Sequence, residues 1–312
     1  MLVNPRSRSV RRDPALVDRL RRVCGDVGEV LAPSTPAELR AMASDLAGRP
    51  RLAIHGGDGT GHQVLTALRG HGATPELMWL HGGTMNTVSR SMGQRGRPEP
   101  QLAAWVDELR GGPRLLRTRR WPLHVDDGNV GFLFGIGIVP RFIEAYESNG
   151  EPTPVRAAFT LARAVLSAFT GGSFAERFFR GIDAHVEGDG VVWPRRAWRI
   201  LTAGAVDQIG LSFRPFSGVL HRPGHMHVFA SASSPVGFAR DLIPLLRGHP
   251  ARDVGAHDQL CRRLVIEAAE PLQYNLDGDL YTVGRRVVVS TEAPVTFVLA
   301  PGARPPPNGL GG

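Results

Sequence analysis

One stretch constrains this chain more than any other: Leu52 to Leu65, reading LAIHGGDGTGHQVL. Leu52, Ala53 and Ile54 form a short apolar run of the kind that makes a buried strand. The segment from Gly61 to Leu68 then sets Val64, Leu65 and Leu68 on one side of a helix. Between them lies Gly56-Gly57-Asp58-Gly59-Thr60. Three glycines in four positions let the backbone turn sharply and approach a ligand with no side chain in the way. The helix that follows points its unpaired N–H groups at an anion in that place. Strand-to-helix corners also use glycine for steric reasons alone, so the turn by itself does not decide. Asp58 shifts the balance, because a carboxylate in an anion cradle repels phosphate unless a cation or a hydroxyl intervenes, which suggests Mg²⁺ or a ribose contact.

The rest of the sequence narrows the class. At 312 residues there is room for roughly two domains. Cys24 and Cys261 lie too far apart in sequence to suggest a disulfide framework or a metal knuckle, and they fit a reducing cytosol. The net charge is +8 and all 37 basic residues are arginine. With no lysine, a Walker-type phosphate loop and side-chain Schiff-base chemistry are excluded. The arginine excess reads either as genome composition or as attraction to an anionic surface, where each basic residue near a bilayer contributes on the order of 1 kcal/mol. No aromatic-interleaved basic stripe points to nucleic acid. No apolar run reaches the roughly 20 residues of a membrane-spanning helix, and no secretory signal is present, so the expectation is a cytoplasmic protein, at most peripheral on the inner face of the membrane.

Along the chain, helical spacing over Pro14 to Cys24 and Pro36 to Leu46 alternates with strands expected at Val27 to Leu31, Leu52 to Ile54 and Leu77 to Leu80. That alternation predicts a parallel sheet covered by helices, with ligands beyond the strand carboxyl ends. A second glycine-rich segment, Trp79 to Arg90, WLHGGTMNTVSR, falls at the same kind of position.

These two segments carry a resemblance. HGGDGT is similar to the nucleotide-binding motif of diacylglycerol, sphingosine and ceramide kinases and, more distantly, NAD kinases. The second segment resembles the P-x-G-T-x-N-D stretch of the lipid kinases, with Gly83, Thr84 and Asn86 in step, which NAD kinases do not carry in this form. Asn4-Pro5-Arg6-Ser7-Arg8 resembles the NPxSG opening that approaches ATP, with Arg8 in place of glycine. His62-Gln63 stands for the usual Asn-Glu, His81 for the usual proline, and Thr87 for the usual aspartate.

From Arg117 the texture changes to a basic patch and then β-rich segments. The Asp-Asp-Gly-Asn turn at 126–129 and glycine-rich Gly135 to Val139 belong to that half. Val155 to Phe169 predicts the main helix there, burying one face on the sheet; the other reading is an acyl-chain wall or a membrane-facing ridge. His221, His225 and His227 match no zinc-ligand spacing and read as solvated residues of a turn. Asp207, in Ala205 to Leu211, resembles a family aspartate that helps bind structural Mg²⁺. Tyr274 to Leu280 is a DG hairpin turn that also resembles the family's DGE segment, in which Asp277 stands at the proposed general base and Asp279 replaces the glutamate.

The resemblance implies an α/β fold: a three-layer α/β nucleotide-binding domain over 1–120, to which a segment near 292–302 can return, a β-rich sandwich over 121–291 for lipid substrate, and a disordered tail over 303–312. It implies an ATP- and Mg²⁺-dependent lipid kinase working in an interdomain cleft, meeting its lipid at a membrane surface, compatible with a homodimer and without a nucleic-acid partner. Asn4, Gly56, Gly57, Asp58, Gly59, Thr60, Gly83, Thr84 and Asn86 then hold the nucleotide, Asp58 and Asp277 serve catalysis, and Asp207 and Asp279 hold metal. A soluble NAD kinase-like enzyme and a non-catalytic nucleotide or lipid sensor are the alternatives.

Overall fold

A short aliphatic run with no polar gap is suited to a strand buried on both faces, and the first sheet is built from such runs. The computed structural model describes residues 1–148, 153–194, 196–209, 213–247, 249 and 256–304. They divide into two units, 1–120 with 293–304, and 121–292. In the first unit, Leu2–Val3 (β1), Arg51–Gly56 (β2) and Glu76–His81 (β3) run parallel. Leu116–Arg120 (β4) closes the sheet antiparallel to the late strand Val295–Leu299 (β18), which lies between β3 and β4 and runs parallel to β3.

The helices of this unit are Arg8–Arg12 (α1), Leu16–Cys24 (α2), Pro36–Ala41 (α3), Ala43–Ala47 (α4), Asp58–Leu68 (α5), Thr87–Ser91 (α6) and Pro98–Leu109 (α7). Leu16, Leu20, Leu102, Trp105 and Val106 of α2 and α7 pack on Ala53, Met78, Leu80 and Val298 of the sheet. α5 packs on β2, with Gly61 against the ring of Trp79, giving helix layers on a parallel sheet as expected. Three local readings change. The helix expected over Pro36 to Leu46 divides at Met42, Val27 to Leu31 contributes only a bridge from Leu31 to Leu2, and α7 forms where no helix was expected.

The second unit holds two antiparallel sheets. One comprises Leu123–Val125 (β5), Val130–Gly131 (β6), Ile182–Gly188 (β8), Val191–Val192 (β9), Arg196–Trp198 (β10), Arg263–Ala268 (β14) and Arg286–Thr291 (β17). The other comprises Leu133–Gly137 (β7), Ile200–Gly204 (β11), Met226–Ser231 (β12), His257–Cys261 (β13), Leu272–Leu276 (β15) and Asp279–Val283 (β16). Trp193 beside β10 stacks on His257 of β13 at 4.4 Å between centroids, bringing the two sheets together at that point.

Ile138–Glu147 (α8), Pro154–Thr170 (α9), Ser173–Phe178 (α10) and Pro235–Leu246 (α11) share a core of Ile138, Ala164, Ala168, Phe178, Phe179, Phe238 and Leu242. α9 is the expected helix, but the face it buries is its small one. Val155, Phe159, Leu166 and Phe169 point to solvent. His227 is not on a solvated turn: it lies buried in β12, accepting the Gly218 N–H at Nδ1 and pairing through Nε2 with Asp258. No described helix is long and apolar enough to cross a membrane. Of the expected disordered tail, 305–312 lies outside the described residues, as do Gly210 and Leu211.

Candidate functional site

The strand register builds the first unit's site. Val3 sits opposite His55 and Gly56 opposite His81, so β1, β2 and β3 finish level and their following loops leave the sheet side by side. The first loop caps α5 with Gly57, whose carbonyl accepts the N–H groups of Thr60 and Gly61 at 3.0 and 3.2 Å. The second turns through Asn86, whose left-handed φ of 50° is one that asparagine tolerates. Asn86 Oδ1 accepts the Gly83 N–H at 2.9 Å while its Nδ2 donates to the Gly83 carbonyl at 3.0 Å.

The glycines let these loops touch. A Cβ on Gly83 would come within 2.5 Å of the Gly57 Cα, and one on Gly82 within 2.9 Å of the Gly56 Cα. A Cβ on Gly56 would strike the Thr60 side chain at 2.4 Å. Asn4 joins from the third strand end, donating from Nδ2 to Thr60 Oγ1 at 2.8 Å and fixed by its own N–H on the His55 carbonyl at 3.0 Å. Asn4, Gly56 to Thr60, and Gly83, Thr84 and Asn86 therefore form one loop cluster at the carboxyl edge of the parallel sheet.

Asp58 is the link inside that cluster. Its Oδ2 accepts the Thr87 N–H at 2.8 Å and its Oδ1 the Val88 N–H at 3.0 Å, so its carboxylate caps the first amides of α6. Burial pushes its carboxyl up from the ordinary range, and the two amide bonds and the Arg90 charge act against that push. His55 and His81 are both pulled down to about 4 by burial, so each is neutral at neutral pH.

Sequence reasoning treated Arg8 only as a departure and passed over Ser9. The structure places both at the cluster: Arg8 Nη1 donates to Thr84 Oγ1 at 3.4 Å, and Ser9 Oγ donates to the Gly82 carbonyl at 3.1 Å and lies 3.2 Å from His55 Nε2. A lysine-free chain that binds an anion must find its cation among arginines, which was the signal available for Arg8.

In the second unit, Asp277 occupies the tight turn between β15 and β16 at φ 51°, followed by Gly278 at 104°. Its carboxylate accepts the Phe132 and Leu133 N–H groups, each at 2.9 Å, and a Cβ at Gly131 would come within 2.6 Å of its Oδ2. Asp207 is buried and pairs with Arg214 at 3.3 Å. It follows β11 at the end where Gly204 faces Leu133, and Asp277 follows β15 beside Phe134, so the two emerge on either side of the start of β7. Asp279 opens β16 opposite Leu276 and is partly exposed.

The donor set at the first cluster, made of amide N–H groups, a threonine hydroxyl and a guanidinium, fits a polyphosphate. The carboxylates fit a protein-held metal poorly. Asp58 has each oxygen on an amide, Asp207 is balanced by Arg214, and among the described residues no three His, Cys, Asp or Glu side chains gather to hold an ion.

Comparison with known proteins agrees with this geometry. Residues 1–111 match the model of the diacylglycerol kinase catalytic domain. Among curated proteins none matches. A solved structure of a provisionally assigned diacylglycerol kinase from Bacillus anthracis str. Sterne is similar at TM-score 0.72 and 15% identity, over 97% of this chain and 95% of that one. A second, described as a diacylglycerol kinase from the same organism, is similar at TM-score 0.68 and 15% identity, over 97% of each chain. At that identity the likeness is one of fold, which it extends to nearly the whole chain. The loop cluster thus lies within the segment, residues 1–111, that matches the model of the diacylglycerol kinase catalytic domain.

Proposed function

We propose that this protein is an ATP-dependent lipid kinase that phosphorylates the hydroxyl of a diacylglycerol-like or sphingoid lipid. The observation that carries the reading is the junction of Asn4, Gly56–Thr60 and Gly83–Asn86 at one sheet edge, inside the segment that matches the diacylglycerol kinase catalytic domain. ATP, when bound, supplies the phosphoryl group.

The chain's part is to bind and orient. The Asp58 and Gly59 amides at the start of α5, ahead of the Thr60 N–H that bonds the Gly57 carbonyl, and the bare backbone at Gly57 take phosphate oxygens. Thr60 Oγ1 already accepts from Asn4, which leaves its own proton to donate to a ligand oxygen. Arg8, beside Thr84, adds positive charge near that point. In phosphoryl transfer little covalent work falls to the protein, and positioning with charge neutralisation carries most of the rate.

The proton of the acceptor hydroxyl falls to Asp277. An alcohol's pKa is far above that of a carboxylic acid, so Asp277 would take the proton only as the new O–P bond forms. The Phe132 and Leu133 amides fix the orientation of the carboxylate. Mg²⁺ would be held mainly by the nucleotide's phosphates and water, because the protein's carboxylates are otherwise engaged. Incubating the purified chain with radiolabelled ATP, mixed lipid alcohols and NAD in parallel tests the reading. Label in a lipid supports it, label in NAD replaces it with the nicotinamide alternative, and ATP binding without transfer to any lipid replaces it with a sensor.

A further inference from the structure

α9 inverts the usual arrangement of a surface helix. Its packed side is small or hydroxylated: Ala157, Thr160, Ala164, Ser167 and Ala168 are all buried. Its large apolar residues face outward, with Val155 80% exposed, Phe159 70%, Leu166 65% and Phe169 56%. At about 100° per residue these four and Ala162 fall within an arc of about 80°. They make a stripe roughly 20 Å long. Single exposed hydrophobic residues need no explanation, but a contiguous stripe marks a surface that something covers.

Charge says what covers it. α9 contains no acidic residue, and Arg156 and Arg163 flank one side of the stripe, Arg163 exposed with its guanidinium 4.3 Å above the Phe174 ring. The neighbouring α11 adds exposed Ile243 and Arg240. A second copy of this chain, docking stripe to stripe, would offer no acidic side chain opposite the exposed Arg163. An anionic lipid surface offers both a hydrocarbon boundary for the ridge and phosphate for its cationic rim.

We propose that the outer face of α9, from Val155 to Phe169, docks in the plane of an anionic bilayer surface. This deepens the lipid-kinase reading, on which it rests for its purpose, by naming the surface where the substrate would be met. Docking itself can be read without turnover.

The test is co-sedimentation of the full chain with phosphatidylcholine vesicles, with and without phosphatidylglycerol. The native chain should sediment with the anionic vesicles. The double variant Phe159→Asp/Leu166→Asp should lose about 100-fold or more in partitioning, and Arg163→Gln about five-fold. Val191→Asp/Val192→Asp, on the exposed β9 hairpin, should change nothing. Circular-dichroism melts check that each variant is folded. Leu166→Trp keeps the ridge apolar, and its emission, taken as the difference from the native chain, should shift to the blue with vesicles and be quenched by brominated acyl chains. No sedimentation of the native chain, native-like binding by the double aspartate variant, or a Leu166→Trp difference emission that stays water-like with vesicles present would each overturn the proposal. So would a dimer that the double variant dissolves in the absence of any vesicle binding. Vesicle binding without phosphorylation of detergent-dispersed lipid would sink the kinase reading and leave this one standing.

Discussion

Replacing Asp58 by asparagine separates a clamp from a metal ligand. In the folded chain both carboxylate oxygens accept backbone N–H groups, from Thr87 at 2.8 Å and Val88 at 3.0 Å. Asparagine keeps one acceptor and turns an NH₂ donor toward the other amide, so one charge-assisted bond is lost and two donors face each other. An unsatisfied buried polar group costs about 1–3 kcal/mol, and a bond to a charged partner contributes about 1.5–3 kcal/mol. Relief of the burial that raises the Asp58 carboxyl offsets part of this, leaving a net loss of about 3 kcal/mol. For a unit of this size that corresponds to a fall of about 10 °C in Tm. Calorimetry without any added ion reads it directly, and Asp58→Ala should fall further. A residue kept only to ligate metal would behave in the opposite way: asparagine would relieve a buried charge, and Tm would hold or rise while activity vanished. A Tm for Asp58→Asn within about 2 °C of native would refute the clamp.

Gly61→Ala sets two effects against each other: alanine gains about 1 kcal/mol in helix propensity, but its Cβ would lie 1.8 Å from the Trp79 ring. Trp79 is fully buried, so overpacking prevails and urea unfolding should show a loss of about 2 kcal/mol or more; a stabilised variant would contradict the packing. His55 is neutral when folded, pulled down to about 4 from its ordinary 6.5, so the unfolded chain binds the extra proton. Its contribution is intact above pH 6.5 and is lost as pH falls toward 4, with a slope of up to about 1.4 kcal/mol per pH unit. His55→Phe should flatten that part of the stability curve between pH 6.5 and 5, and an unchanged slope would refute the assignment. Asp277→Asn should leave nucleotide binding by calorimetry nearly intact while turnover falls by roughly 10² to 10⁴; unchanged turnover would remove Asp277 from the mechanism.

The strands of the parallel sheet were legible because nothing interrupts them. Leu52 to Ile54 and Leu77 to Leu80 are aliphatic or aromatic throughout and became the cores of β2 and β3. α7 was overlooked although Pro98 at its start and Leu102, Trp105 and Val106 at helical spacing were in view. α8 was hidden for a better reason: Gly135 to Val139 reads as a strand end, and the helix begins within it because Gly137, at φ 75°, turns the chain.

The orientation of α9 could not be read from periodicity, since both faces carry apolar residues and only the packing partner decides which is buried. At the site, the two glycine-rich turns were legible as a pair. The duty of Asp58 was not, because the amides it caps lie 29 and 30 residues further on.

The position of β18 bears on how the molecule comes to be made. Chains emerge from the ribosome amino end first, and the first unit's sheet has its slot between β3 and β4 filled only by Val295–Leu299. Until that strand is synthesised, β3 presents an open row of amides and carbonyls, so the antiparallel half is translated in full while the nucleotide half still waits for its final piece. A fragment ending at Arg120 would carry that vacancy permanently and should aggregate, whereas adding the β18 peptide in trans should restore its solubility.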